Sequence, residues 1–223
     1  MVGLQIKICC IADQSEFEQV LSAGGDAIGL VGPMPSGPGT INLTQAKLIA
    51  SHQNSTLSRF LLSSSCDVDE LVGQIDKTGV DTLQIVNHID PAIHDALATK
   101  LPDIRRVQVI HIEDETALSH IPAYSNRVHA FLLDSGRPGA KIAELGGTGR
   151  THDWSISTKF VQTSPIPVFL AGGLNPDNIA EAVRQVRPFG IDVCSGVRTN
   201  GQLDPEKLKL FISIARSVDR TET

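Results

Sequence analysis

Short aliphatic and β-branched runs alternate along this chain with windows in which apolar residues recur every three to four positions. The runs of period two or continuous apolarity predict strands at 5–10, 26–31, 58–62, 82–86, 106–111, 127–134, 167–171 and 191–194. The windows between them predict helices at 15–23, 42–49, 68–77, 91–100, near 115, from 154, at 176–186 and at 205–217. Asp13 or Ser15 is placed to cap the first helix and Asn42 the second, because a short polar side chain can satisfy the free N–H groups of a first turn. Eight strand–helix units in succession favour a parallel sheet closed on itself, a single (β/α)8 barrel over residues 1–223. An open doubly wound sheet is the alternative, and no shift of composition marks a second domain.

Composition narrows the class. The 223 residues carry a net charge of -6, with 41% hydrophobic and 20% charged residues, which argues against a nucleic-acid partner. No apolar run has the length of a membrane span and no signal-peptide pattern opens the sequence, so a cytoplasmic protein is expected. The four cysteines, Cys9, Cys10, Cys66 and Cys194, lack zinc-ligand spacing and read as reduced thiols. Without heptads, a monomer or a weak homodimer is expected.

Functional groups of such a barrel gather at the carboxyl ends of its strands. The sixth apolar run ends abruptly in a carboxylate, Asp134, and a loop with Gly146-Gly147-Thr148-Gly149-Arg150 leads to the helix signal Asp153-Trp154. Glycines let successive N–H groups turn toward one anion, and a following helix adds its dipole. Gly172 and Gly173 follow the seventh strand, Ser195 and Gly196 the eighth, where barrels commonly bind phosphate. Cys9 and Asp134 form an acid–base pair placed on opposite sides of the mouth, since a thiolate can serve as base and a protonated carboxyl as acid. Other polar residues read as structural. Cys10 falls on the opposite side of the first strand and is expected to face the helices. His111 reads as a satisfied structural histidine, while His52, His94 and His120, on helical windows, are expected to be solvated. Cys66 reads as a surface thiol, and Trp154 as an anchor for the sixth helix.

Together, Lys7-Ile8-Cys9, Leu132-Leu133-Asp134, Gly146-Gly147-Thr148-Gly149 with Asp153-Trp154, Ala171-Gly172-Gly173-Leu174-Asn175-Pro176 and Asp192-Val193-Cys194-Ser195-Gly196-Val197 resemble the phosphoribosylanthranilate isomerase family. The resemblance runs from Lys7 to about Leu210 and implies a (β/α)8 barrel of tryptophan biosynthesis. It implies an Amadori rearrangement of a small phosphosugar substrate, with no metal and no nucleotide cofactor. By the same resemblance Cys9 is the general base and Asp134 the general acid. Asp192 lies near the sugar hydroxyls, and the phosphate rests on amides around Gly147, Gly173, Ser195 and Gly196.

This chain is a divergent member of that pattern. Cys10 stands where the family has glycine, and Val86 where the fourth strand carries histidine. Arg198 stands where an acid is usual. The family's loop after the second strand carries an arginine for the anthranilate carboxylate; here it reads Gly32-Pro33-Met34-Pro35-Ser36-Gly37-Pro38-Gly39-Thr40 and contains no basic residue. Arg137, Arg150 and Arg198 are the candidates to replace it. Two alternatives accompany the isomerase reading: a related phosphosugar isomerase with another substrate, and a non-catalytic phosphate-ligand-binding barrel. No lysine ends a strand in the position a Schiff-base aldolase would need.

Overall fold

A computed structural model describes residues 3–35, 37–52, 56–136 and 151–221. Eight parallel strands pair in sequence order and close: β1 (Gln5–Ile8), β2 (Ala27–Val31), β3 (Ser58–Ser63), β4 (Thr82–Ile85), β5 (Arg105–His111), β6 (Ala130–Asp134), β7 (Val168–Leu170) and β8 (Gly190–Val193). The closing pair sets Lys7 beside Asp192 and Ile8 beside Val193. Around the barrel lie α1 (Gln14–Ala23), α2 (Leu43–Ala50), α3 (Val68–Thr78), α4 (Pro91–Lys100), α5 (Ile121–Tyr124), α6 (Trp154–Thr163), α7 (Ile179–Val186) and α8 (Pro205–Thr221). Closure removes the exposed sheet edges that an open arrangement would leave.

The period of two sorts each strand into an inner and an outer face. Ile6, Ile8, Ile28, Leu30, Leu61, Leu83, Ile110, Phe131, Leu133, Leu170 and Ile191 point outward into one layer shared with the helices. Ala27, Val31, Phe60, Leu62, Val107, Val109, Ala130, Leu132, Phe169 and Ala171 fill the barrel interior. Asp13 caps α1 by accepting the Glu16 N–H at 2.9 Å, and Asn42 caps α2 through Gln45 N at 2.9 Å. Both caps stand where the sequence puts them.

Several local expectations change. The fifth helix signal becomes a 3-10 turn, Glu115–His120, before the short α5. Helix α7 begins at Ile179 rather than at Pro176, because Asn175 and Asn178 fold the preceding turn: Asn175 N donates to Asn178 Oδ1 at 2.9 Å, and Asn178 Nδ2 donates to Gly173 O at 2.9 Å. His94 is fully buried rather than solvated, its Nε2 3.0 Å from Gln108 Oε1, and burial pushes its imidazole down to about 4. His120 packs edge-on against His88 at 4.4 Å, and His52 stacks on Phe17 at 4.5 Å. Cys66 is exposed and Trp154 packs against the outer core, both as expected. No helix among the described residues is long and apolar enough to cross a membrane.

Candidate active site

One pocket opens at the carboxyl ends of the strands, and both proposed proton-transfer groups face it. Cys9 follows β1, is buried, and is held by its amide donating to Val193 O at 2.8 Å. Asp134 ends β6 on the other side of the ring and lines the same pocket. Burial pushes the Asp134 carboxyl above the usual carboxylate range. His111, beside it in register, and the Ser135 N–H at 2.7 Å from Oδ1 pull the other way, while Asp192 adds to the rise. The net direction leaves Asp134 readier than an ordinary aspartate to hold a proton. His111 itself is buried at the end of β5, its Nε2 2.9 Å from Val86 O, while its Nδ1 is buried without a hydrogen-bond partner among the described residues, so the expected satisfied histidine is met at one ring nitrogen only.

The inner face holds a charge pair that was not singled out in the sequence as a unit. Lys7 Nζ is fully buried in the barrel, 2.8 Å from Asp192 Oδ2 and 5.3 Å from the centre of the Phe60 ring. Burial opposes the ammonium more than any other single influence, yet Asp192, together with Cys9 and Cys10, outweighs it and holds the proton on Lys7. Burial likewise pushes Asp192 up, partly offset by Lys7. Space for this cluster comes from Gly29 in β2. A Cβ there would lie 2.8 Å from Cys9 Sγ and 3.0 Å from Lys7 Nζ, closer than carbon contacts allow. Removing one member of a buried pair strands the other charge, at a cost of about 3–5 kcal/mol. Lys7→Met is therefore expected to lower unfolding free energy by about that amount in urea titrations. The loss should grow as pH rises, because the unpaired Asp192 keeps its proton more tightly folded than unfolded. Equal stability of variant and parent at neutral pH would show that the pair contributes nothing net.

Gln84 and Asp192 each bring one further oxygen to the pocket. Gln84 Oε1 and Asp192 Oδ1 are buried and accept no hydrogen bond from any described residue. Two oriented acceptors in one cavity suit hydroxyl groups of a ligand, since a buried acceptor left unmatched is costly. Gln84 carries no sequence signal beyond its place on an inward strand position.

The turns after β7 and β8 meet at the rim. Gly172 and Gly173 adopt φ 82 and 65, and both line the pocket with Asp192 and Ser195. Ser195–Val197 forms a single 3-10 turn. Gly196 is packed so tightly against the other turn that a Cβ would fall 1.9 Å from Leu174 O. Beside them His152, just ahead of the Asp153 cap of α6, has Nε2 2.7 Å from Ser157 Oγ, and burial pushes its imidazole down to about 4. Gly146 and Gly147, with Arg137 and Arg150, lie outside the described residues.

Cys10 corrects an expectation. It lines the pocket and packs with the barrel interior instead of facing the helices. Strand β1 stops at Ile8, and Cys10 takes a left-handed backbone (φ 63), so the alternation that would have turned it outward no longer applies. The neighbouring Cys194 and Cys9 thiols, together with burial, push its own thiol up. Arg198 is likewise committed elsewhere than to a ligand: its Nη1 and Nη2 meet Glu16 at 2.6 and 3.0 Å. The wall nearest the second-strand loop is apolar, built from Val31, Met34, Leu62, Val86 and Val109.

Residues 6–214 match the family model of N-(5'-phosphoribosyl)anthranilate (PRA) isomerase. The chain belongs to the PRA isomerase family. It is thus an isomerase of the aldose–ketose type, an intramolecular oxidoreductase. The PRA isomerase of Methanothrix thermoacetophila is 32% identical over 213 residues, covering 96% of this chain and 98% of that one. That of Haloferax volcanii is 33% identical over 215 residues, covering 96% and 93%. Among solved structures, the PRA isomerase of Pyrococcus furiosus superposes with a TM-score of 0.79 at 28% identity, covering 96% of this chain and 99% of that one. Within the PRA isomerase family this member combines the Lys7–Asp192 pair and the Cys9 and Asp134 positions with a mouth whose described wall is largely uncharged.

Proposed function

We propose that this chain catalyses the Amadori rearrangement of N-(5-phosphoribosyl)anthranilate to 1-(2-carboxyphenylamino)-1-deoxyribulose 5-phosphate, the isomerisation step of tryptophan biosynthesis. Cys9 acts as general base and Asp134 as general acid. The observation that carries this reading is the facing of Cys9 and Asp134 across one pocket, in a chain matched to the family over residues 6–214.

The chemistry follows from the groups present. Asp134, its proton retained by burial, gives that proton to the furanose ring oxygen, and the C1–O bond breaks to leave a Schiff base. Cys9, as thiolate, removes the proton from C2, and the electrons move to the imine nitrogen to give an enolamine, which tautomerises to the ketose. Asp192 Oδ1 and Gln84 Oε1 accept from sugar hydroxyls and fix C2 against Cys9. The 5-phosphate rests on amides of the Gly172-Gly173 turn and of Ser195 and Gly196, joined by Gly146 and Gly147 of the loop after β6. No metal or cofactor is required by these steps. The sugar phosphate is the partner, and a monomer or weak homodimer in the cytoplasm remains our expectation for the assembly and its location.

The test is turnover of PRA formed in situ from anthranilate, followed by loss of its fluorescence. Saturable turnover supports the assignment; a folded protein that leaves the signal untouched removes it. The apolar wall of Val31, Met34, Leu62, Val86 and Val109 favours a second reading, the same rearrangement on an aminoaldose phosphate with a neutral ring. A charge-assisted contact to the ring carboxylate would contribute about 1.5–3 kcal/mol, or roughly 10- to 150-fold in selectivity. We expect the phosphoribosyl-aniline analogue to be converted with a kcat/KM within about tenfold of the anthranilate compound. A larger preference for anthranilate would reveal a cation reading its carboxylate.

A further inference from the structure

Arg198 and Glu16 lie outside the reacting groups, yet they tie the chain from Cys9 to Ala12 to the segment that follows β8. Their side chains are 9% and 11% exposed, with Nη1 2.6 Å from Oε1 and Nη2 3.0 Å from Oε2. Glu16 also accepts the Ala12 N–H and the Leu203 N–H, each at 3.0 Å. The guanidinium then reaches past its partner to the backbone: Nη2 donates to Cys10 O at 2.6 Å and to Cys9 O at 3.4 Å, and Nη1 to Gly201 O at 3.1 Å. The carbonyl it grips most closely belongs to the residue in the left-handed region, a conformation that L-residues other than glycine adopt at a cost. Cys10 is held from the other side as well, by Gly39, whose missing Cβ would sit 2.7 Å from Cys10 Cβ.

We infer that the Arg198–Glu16 pair is a positioning device for the reaction, holding Cys10 in its left-handed turn and so fixing the direction in which Cys9 presents its thiol to the pocket. The inference rests on the reading of Cys9 as the base. It explains two departures of this chain together: where a glycine would adopt the turn unaided, a cysteine needs its carbonyl clamped, and the clamp is an arginine delivered by the turn after β8. Arg198 touches no reacting atom in this scheme and acts through the backbone of Cys9 and Cys10.

The prediction is a coupling between positions 198 and 10. Wild-type turnover of PRA and its loss in Cys9→Ser first establish the base. Arg198→Met is then expected to lower kcat by roughly 10- to 100-fold with little change in KM, the scale expected when a reacting group is displaced by a fraction of an ångström to an ångström. Arg198→Lys, which keeps one donor for Cys10 O, recovers part of that loss. In a Cys10→Gly background, Arg198→Met should change kcat by less than about threefold, because glycine holds the turn without the clamp. A purely structural pair would lower stability alike in both backgrounds and leave no such coupling in kcat. Equal loss of kcat with cysteine or glycine at position 10, or full kcat in Arg198→Met, overturns the inference. If Arg198→Met fails to fold only with Cys10 present, the same coupling is read from Arg198→Lys in both backgrounds. If the wild type does not convert PRA, the substrate assignment fails separately. The clamp is then tested by the rate of iodoacetamide labelling at Cys9, mapped by peptide mass: Arg198→Met must change it and Cys10→Gly restore it.

Discussion

Replacing Cys9 by serine is expected to lower PRA turnover by about 100- to 10,000-fold, the range over which a positioned general base contributes. The substitution changes one atom and little space: the pocket at Cys9 is opened by Gly29, and an oxygen is smaller than the sulfur it replaces. The amide of residue 9 keeps its bond to Val193 O, so the strand end stays in place. What is lost is acidity, since an alcohol gives up its proton far less readily than a thiol and cannot accept the C2 proton as an alkoxide at neutral pH. Single-turnover fluorescence decay on enzyme in excess isolates this step from product release. A melting temperature within a few degrees of wild type would locate the defect in chemistry, and near-native decay would show that another group is the base.

Asp134→Asn should produce a comparable fall in turnover, again about 100- to 10,000-fold, with an opposite tendency in stability. An amide fills the same volume and still accepts from Ser135 N, but has no proton of the required acidity to give. The carboxyl at this position is raised by burial. An acid whose folded value exceeds its unfolded value binds more protons when folded, so stability falls as pH climbs from the unfolded value through the folded one. Above that window the wild type bears a buried charge that asparagine lacks, and the variant is expected to be as stable or more stable at neutral pH. Below it the two should converge. In the wild type, the acid's contribution to rate should fade as pH rises through the Asp134 titration. Urea unfolding across pH and the pH profile of kcat check the two halves. A variant with retained turnover would remove Asp134 from the mechanism.

The barrel was legible because its evidence is local. Each strand writes its alternation in successive residues, and Asn42 marks a helix start by residue type, while Asp13 is chosen over Ser15 only by its bond to Glu16 N. The place of Asp134 at the pocket was legible for a related reason, since it is a carboxylate at the end of an apolar run in a fold whose strand ends open to the mouth. Lys7 was harder. A lysine in a strand reads as an outward polar residue until its register partner Asp192 is known, and that partner joins it only when the barrel closes. The inward turn of Cys10 was misread because alternation was carried two residues past the end of β1, where the backbone turns left-handed. His94 was misread on similar grounds: helical period placed it, but its buried partner Gln108 comes from β5. Arg198, considered as a possible carboxylate ligand, is held instead by Glu16 from α1. Pairing between distant segments is the information that a single sequence does not display.

The contact of Gly196 with Leu174 O bears on how an anion would be received. Because a Cβ at 196 would fall 1.9 Å from that oxygen, the turns after β7 and β8 are packed as one body rather than two independent loops. A mobile pair of loops would have to surrender conformational entropy each time it closed around a ligand. Here that entropy has already been given up during folding, so under the proposed function a phosphate would meet these two turns already in place. On that reading, binding at this rim would carry little cost for ordering the two turns.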